Sequence, residues 1–163
     1  MHFPISVICV FAGGLLVFAA GCGSNGNKQA SNSSTSPTGE LGPFDEDAGE
    51  FTTTESGLKY RITREGEGEK PKPTDAVVVH YRGMLADGNE FDSTYRRRQP
   101  AGFSLGRVIP GWTEGLQLIK VGGMIELIVP PDLGYGDDGS GPIAPNSTLF
   151  FTIELIKIPK AGE

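Results

Sequence analysis

The side chains of this sequence that could do chemistry are few, and they lie within apolar or glycine-rich motifs. Asp92 directly follows Phe91, Tyr81 lies in the apolar segment Val79–Leu85, and Tyr135 stands between two glycines. No Ser/His/Asp set and no pair of carboxylates accompanies them, so the pattern disfavours a hydrolase. One carboxylate and two phenols among apolar residues suit a reaction in which a cavity, rather than a nucleophile, lowers the barrier.

Strands must position most of these side chains, because much of the chain after residue 57 alternates between apolar and polar residues. The predicted strands are Leu58–Ile62, Ala76–Leu85, Asn89–Asp92, Phe103–Leu105, Met124–Val129 and Leu149–Ile158. Asp87-Gly88 predicts a hairpin between the second and third of them. Gly111–Lys120 is the one predicted helix, with Trp112 and Leu116 on its apolar face. This order predicts an α+β domain, a curved antiparallel sheet wrapped around one short helix.

Several motifs in series resemble the FK506-binding-protein (FKBP) family of peptidyl-prolyl cis-trans isomerases. They are Val79–Leu85, Phe91-Asp92, Val108-Ile109, Gly111-Trp112 and Gly134-Tyr135-Gly136. The resemblance covers about Thr54 to Ile158. It implies the FKBP half-barrel fold and a cavity that binds proline.

The resemblance also implies which residues form that cavity. The catalytic residues would be Tyr81, Phe91, Asp92 and Tyr135, and the substrate-binding residues Val108, Ile109, Trp112, Ile143 and Phe151. Trp112 would be the floor, and the backbone N–H of Ile109 would bind a substrate carbonyl. Asp92 would lie at the edge, oriented by Tyr81, and Ile143 would lie on a flap over the substrate.

Such a cavity can catalyse rotation of an X-Pro bond without a base, a nucleophile or a metal. The amide C–N bond has partial double-bond character, and rotation costs about 18–20 kcal/mol. X-Pro isomers therefore exchange over tens to hundreds of seconds. Water stabilises the polarised, planar ground state, whereas the twisted state has lost much of its resonance. A dry aromatic cavity should favour the twisted state, and no cofactor is expected.

Each of these residues also has a plain structural interpretation. Taken singly, Trp112, Phe91, Phe151 and Val108 would be ordinary core residues. Asp92, before Ser93-Thr94, would be a turn carboxylate, and Tyr135 would anchor a loop. The joint order and spacing of the motifs favours the cavity.

The chain departs from the family pattern at four places, one of which is the short connection Gly106–Val108. Ala101 stands where the best-studied members have an aromatic residue, and Leu133 where a second tyrosine is often found. Asp137-Asp138 makes the flap acidic, which would favour substrates with basic residues near the proline. The expected partners are proline-containing unfolded polypeptides and, by the resemblance, FK506-like macrolides. The alternative function is a non-catalytic chaperone module that binds proline segments in the same cavity.

Composition excludes several other classes of function. A net charge of −6 argues against nucleic-acid binding. Both cysteines lie near the N-terminus, and His80, which should face away from the cavity, is the only histidine after residue 2, so a metal site is not expected. Arg96–Arg98 is interpreted as a solvated loop. No long apolar stripe remains beyond the core, so we expect a monomer.

The N-terminus resembles an export signal. Ile5–Ala20 is apolar apart from Ser6 and is followed by Gly21-Cys22. This run is short for a membrane span but suits a signal peptide, and small residues before a cysteine resemble the lipobox of bacterial lipoproteins. Lipidation of Cys22 would anchor an exported protein to a membrane, facing the periplasm or the cell exterior. The alternatives are an uncleaved anchor and ordinary cleavage near Ala20.

The predicted organisation therefore has three parts. Residues 1–21 are a signal peptide, residues 22–50 comprise the lipidated cysteine and a flexible acidic linker, and residues 51–163 form the isomerase domain. The linker has too little apolar content to bury a core. As a coil it would reach roughly 30 Å from the membrane.

Overall fold

In this computed structural model, residues 44–45 and 49–159 are described. The chain divides into two compact units, Met1–Ser33 and Ser34–Glu163, and every described residue belongs to the second. The predicted signal peptide, Cys22 and most of the predicted linker lie outside the described residues. Within those residues, no helix has the length and apolar character needed to cross a membrane.

Seven strands form one antiparallel sheet, which confirms the predicted fold class. The strands are β1 (Thr52–Thr53), β2 (Lys59–Arg64), β3 (Ala76–Leu85), β4 (Glu90–Ser93), β5 (Ala101–Ser104), β6 (Met124–Val129) and β7 (Leu149–Lys157). The α-helices are α1 (Thr94–Arg97) and α2 (Pro110–Leu116), and short 3-10 turns cover Leu105–Arg107 and Pro131–Leu133. The strand order is β1-β2-β6-β7-β3-β4, and β5 also pairs with β3.

The alternation of the sequence correctly assigns the two faces of the sheet. On β3, Val77, Val79 and Tyr81 are buried, while His80 and Arg82 between them are only partly buried. Successive side chains of a strand point to opposite faces, so the first set faces the core and the second the outer surface. The hairpin at Asp87-Gly88 is also present, and Gly88 has the positive φ of 81° that its turn requires.

Helix α2 packs closely on the inner face of the sheet because two of its residues are glycines. A Cβ atom at Gly111 would lie 2.7 Å from the side chain of Val129, and one at Gly115 would lie 2.7 Å from that of Leu127. The helix ends at Leu116, one turn earlier than predicted. Its apolar periodicity nevertheless continues, since Ile119 is 1% exposed in the turn that follows. Apolar periodicity indicates which residues are buried, and here it continues from the helix into a buried turn.

Strand β5 and helix α1, both at the edge of β3, differ from the prediction. Strand β5 starts at Ala101, not Phe103, and pairs with β3 over Ala76–Val79. Strand β4 pairs with β3 from Arg82 onwards. His80 and Tyr81 therefore lie in a gap between the two neighbours, and the short helix α1 covers that gap.

The outer face of the sheet contacts residues upstream of the predicted domain boundary. The ring of Phe44 packs edge-on against Phe150, with centroids 5.3 Å apart. Arg61 donates a hydrogen bond to the Asp45 carbonyl at 2.8 Å and lies 4.5 Å from the centroid of Phe51. The boundary itself, at residue 51, stays a prediction.

Candidate active site

Trp112 lies at the centre of an aromatic cluster on the inner face of the sheet. The indole is 4% exposed and meets three rings edge-on, those of Tyr81 at 5.0 Å, Phe103 at 5.3 Å and Phe151 at 5.4 Å between centroids. Pro110 is the first residue of α2, and its fixed φ suits that position. The helix start therefore delivers Trp112 to the middle of the cluster.

Phe91 extends the cluster from β4. Its ring stands perpendicular to that of Phe151, with centroids 5.7 Å apart. Gly83 lies beneath both rings, and a Cβ atom there would come within 2.5 Å of Phe91 and 2.9 Å of Phe151. The absence of a side chain at Gly83 is what allows the two rings to meet.

Tyr81, Asp92 and Arg97 form a hydrogen-bonded set at the edge of the cluster. The Tyr81 hydroxyl donates to Asp92 Oδ2, while Arg97 Nη1 donates to Oδ1 at 2.5 Å. The backbone N–H of Ser93 donates to the same Oδ1 at 2.8 Å. Asp92 thus accepts hydrogen bonds at both oxygens, and its orientation relative to Tyr81 is fixed.

These contacts determine the protonation states of Asp92 and Tyr81. Burial alone would raise the pKa of Asp92, but the hydrogen bonds from Tyr81 and Arg97, together with the Arg97 charge, hold it below its usual value. Burial, and then the hydrogen bond to Asp92, raise the pKa of Tyr81 to about 12. At neutral pH the site therefore contains a charged carboxylate and a neutral phenol that donates to it.

Val108 and Ile109 form the segment between the 3-10 turn and α2. The carbonyl of Ile109 accepts hydrogen bonds from the N–H groups of Trp112 and Thr113, at 3.0 and 3.2 Å. Among the described residues, none accepts a hydrogen bond from the N–H of Ile109. That backbone donor is free to bind a carbonyl oxygen of a ligand.

The loop between the second 3-10 turn and β7 contains Tyr135 and Ile143. Ser140 and Ile143 exchange two backbone hydrogen bonds of 2.9 Å, and the N–H of Asn146 donates to the Gly136 carbonyl at 2.8 Å. Tyr135 is 39% exposed, whereas Ile143 is 6% exposed and belongs to the core cluster. The loop is thus folded onto the domain through Ile143, and it leaves the ring of Tyr135 accessible.

The structure brings most of the predicted site residues together. Tyr81, Trp112, Phe151 and Phe91 are connected by ring contacts, and Asp92 joins them through Tyr81. Val108 and Ile109 pack against the same core cluster, which also includes Ile143. Tyr135 contacts none of the other predicted residues through a ring contact or a side-chain hydrogen bond that the described structure contains.

Two residues of the site were missed from the sequence. Phe103 meets both Tyr81 and Trp112 edge-on, and the signal for it was available, since β5 alternates and places Phe103 on the same face as Ala101. Arg96–Arg98 is exposed, as predicted, but it is not all loop: Arg96 and Arg97 belong to α1, and Arg97, the second missed residue, binds Asp92. Helix α1 makes this contact possible, and four residues are too few to leave a periodic signal.

Comparison with known proteins indicates the same family as the sequence motifs do. Residues 67–156 match the family described as FKBP-type peptidyl-prolyl cis-trans isomerase. FkpA from Escherichia coli is 52% identical over 109 residues, 67% of this chain and 40% of FkpA. Its crystal structure superposes with a TM-score of 0.66 at 51% identity, covering 68% of this chain and 52% of that chain.

Two further proteins extend the comparison. The outer membrane protein MIP of Legionella longbeachae is 51% identical over 108 residues, 66% of this chain and 46% of MIP. A peptidyl-prolyl cis-trans isomerase of Pseudomonas syringae is 37% identical with a TM-score of 0.63, covering 68% of this chain and 81% of that structure. The chain spans 40% of the length of FkpA and 46% of MIP, less than half of either.

Proposed function

Because this chain belongs to the FKBP-type peptidyl-prolyl cis-trans isomerase family, we propose that it accelerates rotation about X-Pro bonds in unfolded polypeptides. The observation that carries the proposal is the aromatic cluster around Trp112, with the N–H of Ile109, which has no acceptor among the described residues, in the segment that leads into it. This arrangement offers a dry surface for a proline ring and one donor for a carbonyl.

The mechanism follows from what this surface does to the two states of the amide. The proline ring would lie on Trp112, between Phe91, Phe151 and Tyr81. The Ile109 N–H would hold a carbonyl of the substrate in one orientation. Removal of water weakens stabilisation of the polarised, planar amide, while the twisted amide loses less, so the barrier falls.

The polar residues would act by orientation and not by proton transfer. Asp92 stays charged because of its lowered pKa and so keeps the hydroxyl of Tyr81 occupied. The ring of Tyr81 is then fixed as a wall. The exposed Tyr135 would supply a second hydrogen-bonding hydroxyl, and Val108 and Ile143 would contact residues that flank the proline.

The flap supports a preference for basic flanking residues. Asp137 and Asp138 are exposed, and neither belongs to any of the salt bridges found within the described residues. Two unneutralised carboxylates next to Tyr135 would attract Lys or Arg close to the proline. Ala101 on β5 leaves a small side chain where an aromatic wall would meet an FK506-like macrolide, so we propose weak macrolide binding.

We further propose that the protein is an exported, monomeric lipoprotein, anchored to a membrane through Cys22. The support is the apolar segment before Cys22 and the similarity to a protein named an outer membrane protein. Incorporation of labelled lipid should be lost in Cys22→Ser. Incorporation that persists in this variant would exclude Cys22 as the anchor.

A direct test of the isomerase is the cis-to-trans relaxation of X-Pro peptides in the presence of the purified protein. Phe91→Ala and Asp92→Ala should lose most of the acceleration. Phe150→Ala is a matched control, because it removes a buried phenyl group, 7% exposed, from the opposite face of the sheet. A folded wild type that binds these peptides without accelerating exchange would instead support the alternative, a non-catalytic chaperone module.

A further inference from the structure

Tyr81 lies in the gap between β4 and β5 along one edge of β3, while β7 pairs with the opposite edge. Strand β5 pairs with β3 only as far as Val79, and β4 pairs with it only from Arg82. A buried N–H or C=O group without a partner destabilises the fold, so these two groups need another partner.

The hydroxyl of Thr94 fills this gap. Thr94 is the first residue of α1 and is 0% exposed. Its Oγ1 accepts a hydrogen bond from the Tyr81 N–H at 2.7 Å and donates one to the Tyr81 carbonyl at 3.2 Å. One side chain thus replaces the missing strand on both polar groups of Tyr81.

His80 completes the coordination of that hydroxyl. Its Nδ1 lies 3.0 Å from Thr94 Oγ1, and its ring stacks on Tyr95 with centroids 5.0 Å apart. A hydroxyl has one hydrogen and two lone pairs. Since the hydrogen goes to the Tyr81 carbonyl and one lone pair to the Tyr81 N–H, the second lone pair must accept from His80. This arrangement assigns a proton to Nδ1 of His80.

Tyr81 is consequently held at both ends, by Asp92 and Thr94, which lie two residues apart. Its phenol donates to the carboxylate of Asp92, and its backbone is bonded to the hydroxyl of Thr94. Ser93 lies between them, and its N–H donates to Asp92 Oδ1 at 2.8 Å. Hydrogen bonds thus join Tyr81 to the segment Asp92–Thr94 at its phenol and at its backbone, and together they set the position of its ring against Trp112.

We propose that Thr94 is a positioning residue for Tyr81 in the isomerase site, with His80 as the hydrogen-bond donor that completes its hydroxyl. This inference rests on the proposed function, since it concerns the wall of the same cavity. Thr94 itself does not contact the substrate. It acts by fixing where Tyr81 stands, and displacing a group by about 1 Å in such a site can cost on the order of 100-fold in rate.

The test compares three variants of the full chain. Thr94→Val keeps the shape and removes the hydroxyl, and we expect kcat/KM for an X-Pro peptide to fall by about tenfold or more. Thr94→Ser keeps the hydroxyl and should stay near the wild-type value. Thr152→Val is the matched control, because Thr152 is 4% exposed and its hydroxyl has no hydrogen-bond partner among the described residues.

Two outcomes of the kinetics would overturn the proposal. A Thr94→Val variant as active as Thr152→Val would show that the hydroxyl does not position Tyr81. A Thr94→Ser variant as impaired as Thr94→Val would show that the methyl group matters instead. Thermal unfolding of each variant, measured in parallel, separates loss of position from loss of folded protein.

A second measurement uses the wild type and does not depend on a variant's folding. Nitrogen-15 NMR of His80 should show a protonated Nδ1 and an unprotonated Nε2 in the neutral ring, and the reverse tautomer would refute the hydroxyl assignment. If wild type itself fails to accelerate exchange, the proposed function fails but this inference can still be tested. Peptide binding, followed by the fluorescence of the single tryptophan, should then weaken about tenfold in Thr94→Val and not in Thr152→Val.

Discussion

Gly83→Ala should disable the cavity while leaving the fold in place. The added Cβ atom would lie 2.5 and 2.8 Å from two atoms of the Phe91 ring and 2.9 Å from Phe151. Carbon atoms in contact prefer about 3.5–4.0 Å, so the rings must retreat by roughly 1 Å. Overpacking of this kind typically costs about 1–3 kcal/mol of stability. The same displacement moves two cavity walls, so we expect kcat/KM to fall by about 10- to 100-fold.

Gly102→Ala is the matched control for this substitution. Gly102 is also a strand glycine, on β5, but its added Cβ atom would approach only the Val77 carbonyl, at 3.9 Å. The assay is the relaxation of an X-Pro peptide at several substrate concentrations, together with urea unfolding of both variants. The reasoning would be refuted by a folded Gly83→Ala protein whose kcat/KM is within about twofold of that of Gly102→Ala. Such a result would mean that Phe91 and Phe151 are not walls of the working site.

Three further predictions concern charge and protonation. Because the folded pKa of Tyr81 is raised from 10.0 to about 12, its contribution to stability is present below pH 10 and is lost as pH rises towards 12. Urea unfolding between those values should show a steeper loss in wild type than in Tyr81→Phe, and equal slopes would contradict this. The folded pKa of Asp92 is lowered, so its contribution is present above the usual carboxylate pKa of 3.8 and is lost as pH falls through the folded value. Acid unfolding should therefore be flatter below about pH 4 in Asp92→Asn than in wild type. Replacing Asp137 and Asp138 together by Asn should lower kcat/KM several-fold for peptides with Lys next to the X-Pro pair and leave neutral peptides unchanged, with the difference vanishing near 1 M salt.

The sequence was sufficient to bring together most residues of the proposed cavity, because they occupy inward positions of strands. Tyr81 and Phe151 are such positions on β3 and β7, although Phe150 and Thr152 on the outer face of β7 are buried as well, and α2 presents Trp112 on the face that its periodicity marks. These assignments need only the direction of each side chain. They do not need to know which strands are neighbours.

What the sequence could not predict depends on register and on short elements. Arg97 reaches Asp92 only because α1 turns the chain back at the end of β4. The residue after α1 has a positive φ of 52°, but it is Arg98 and not the glycine that would signal such a turn in the sequence. Thr94 bonds to Tyr81 only because β4 and β5 leave a gap opposite it. The gap follows from two pairing registers that a single sequence does not specify.

The two faces of β3 have different roles because its side chains alternate between them. Tyr81 and Gly83 face the aromatic cluster, while His80 and Arg82 face outwards, and these four residues are consecutive, so inward and outward positions alternate along the strand. A contact on the outer face can therefore reach the cavity through the backbone of Tyr81 without any connecting core residue. The aromatic walls determine which state of the amide is favoured. The hydrogen bonds behind them determine how closely the walls keep that shape, so residues that do not touch the substrate can still change catalysis.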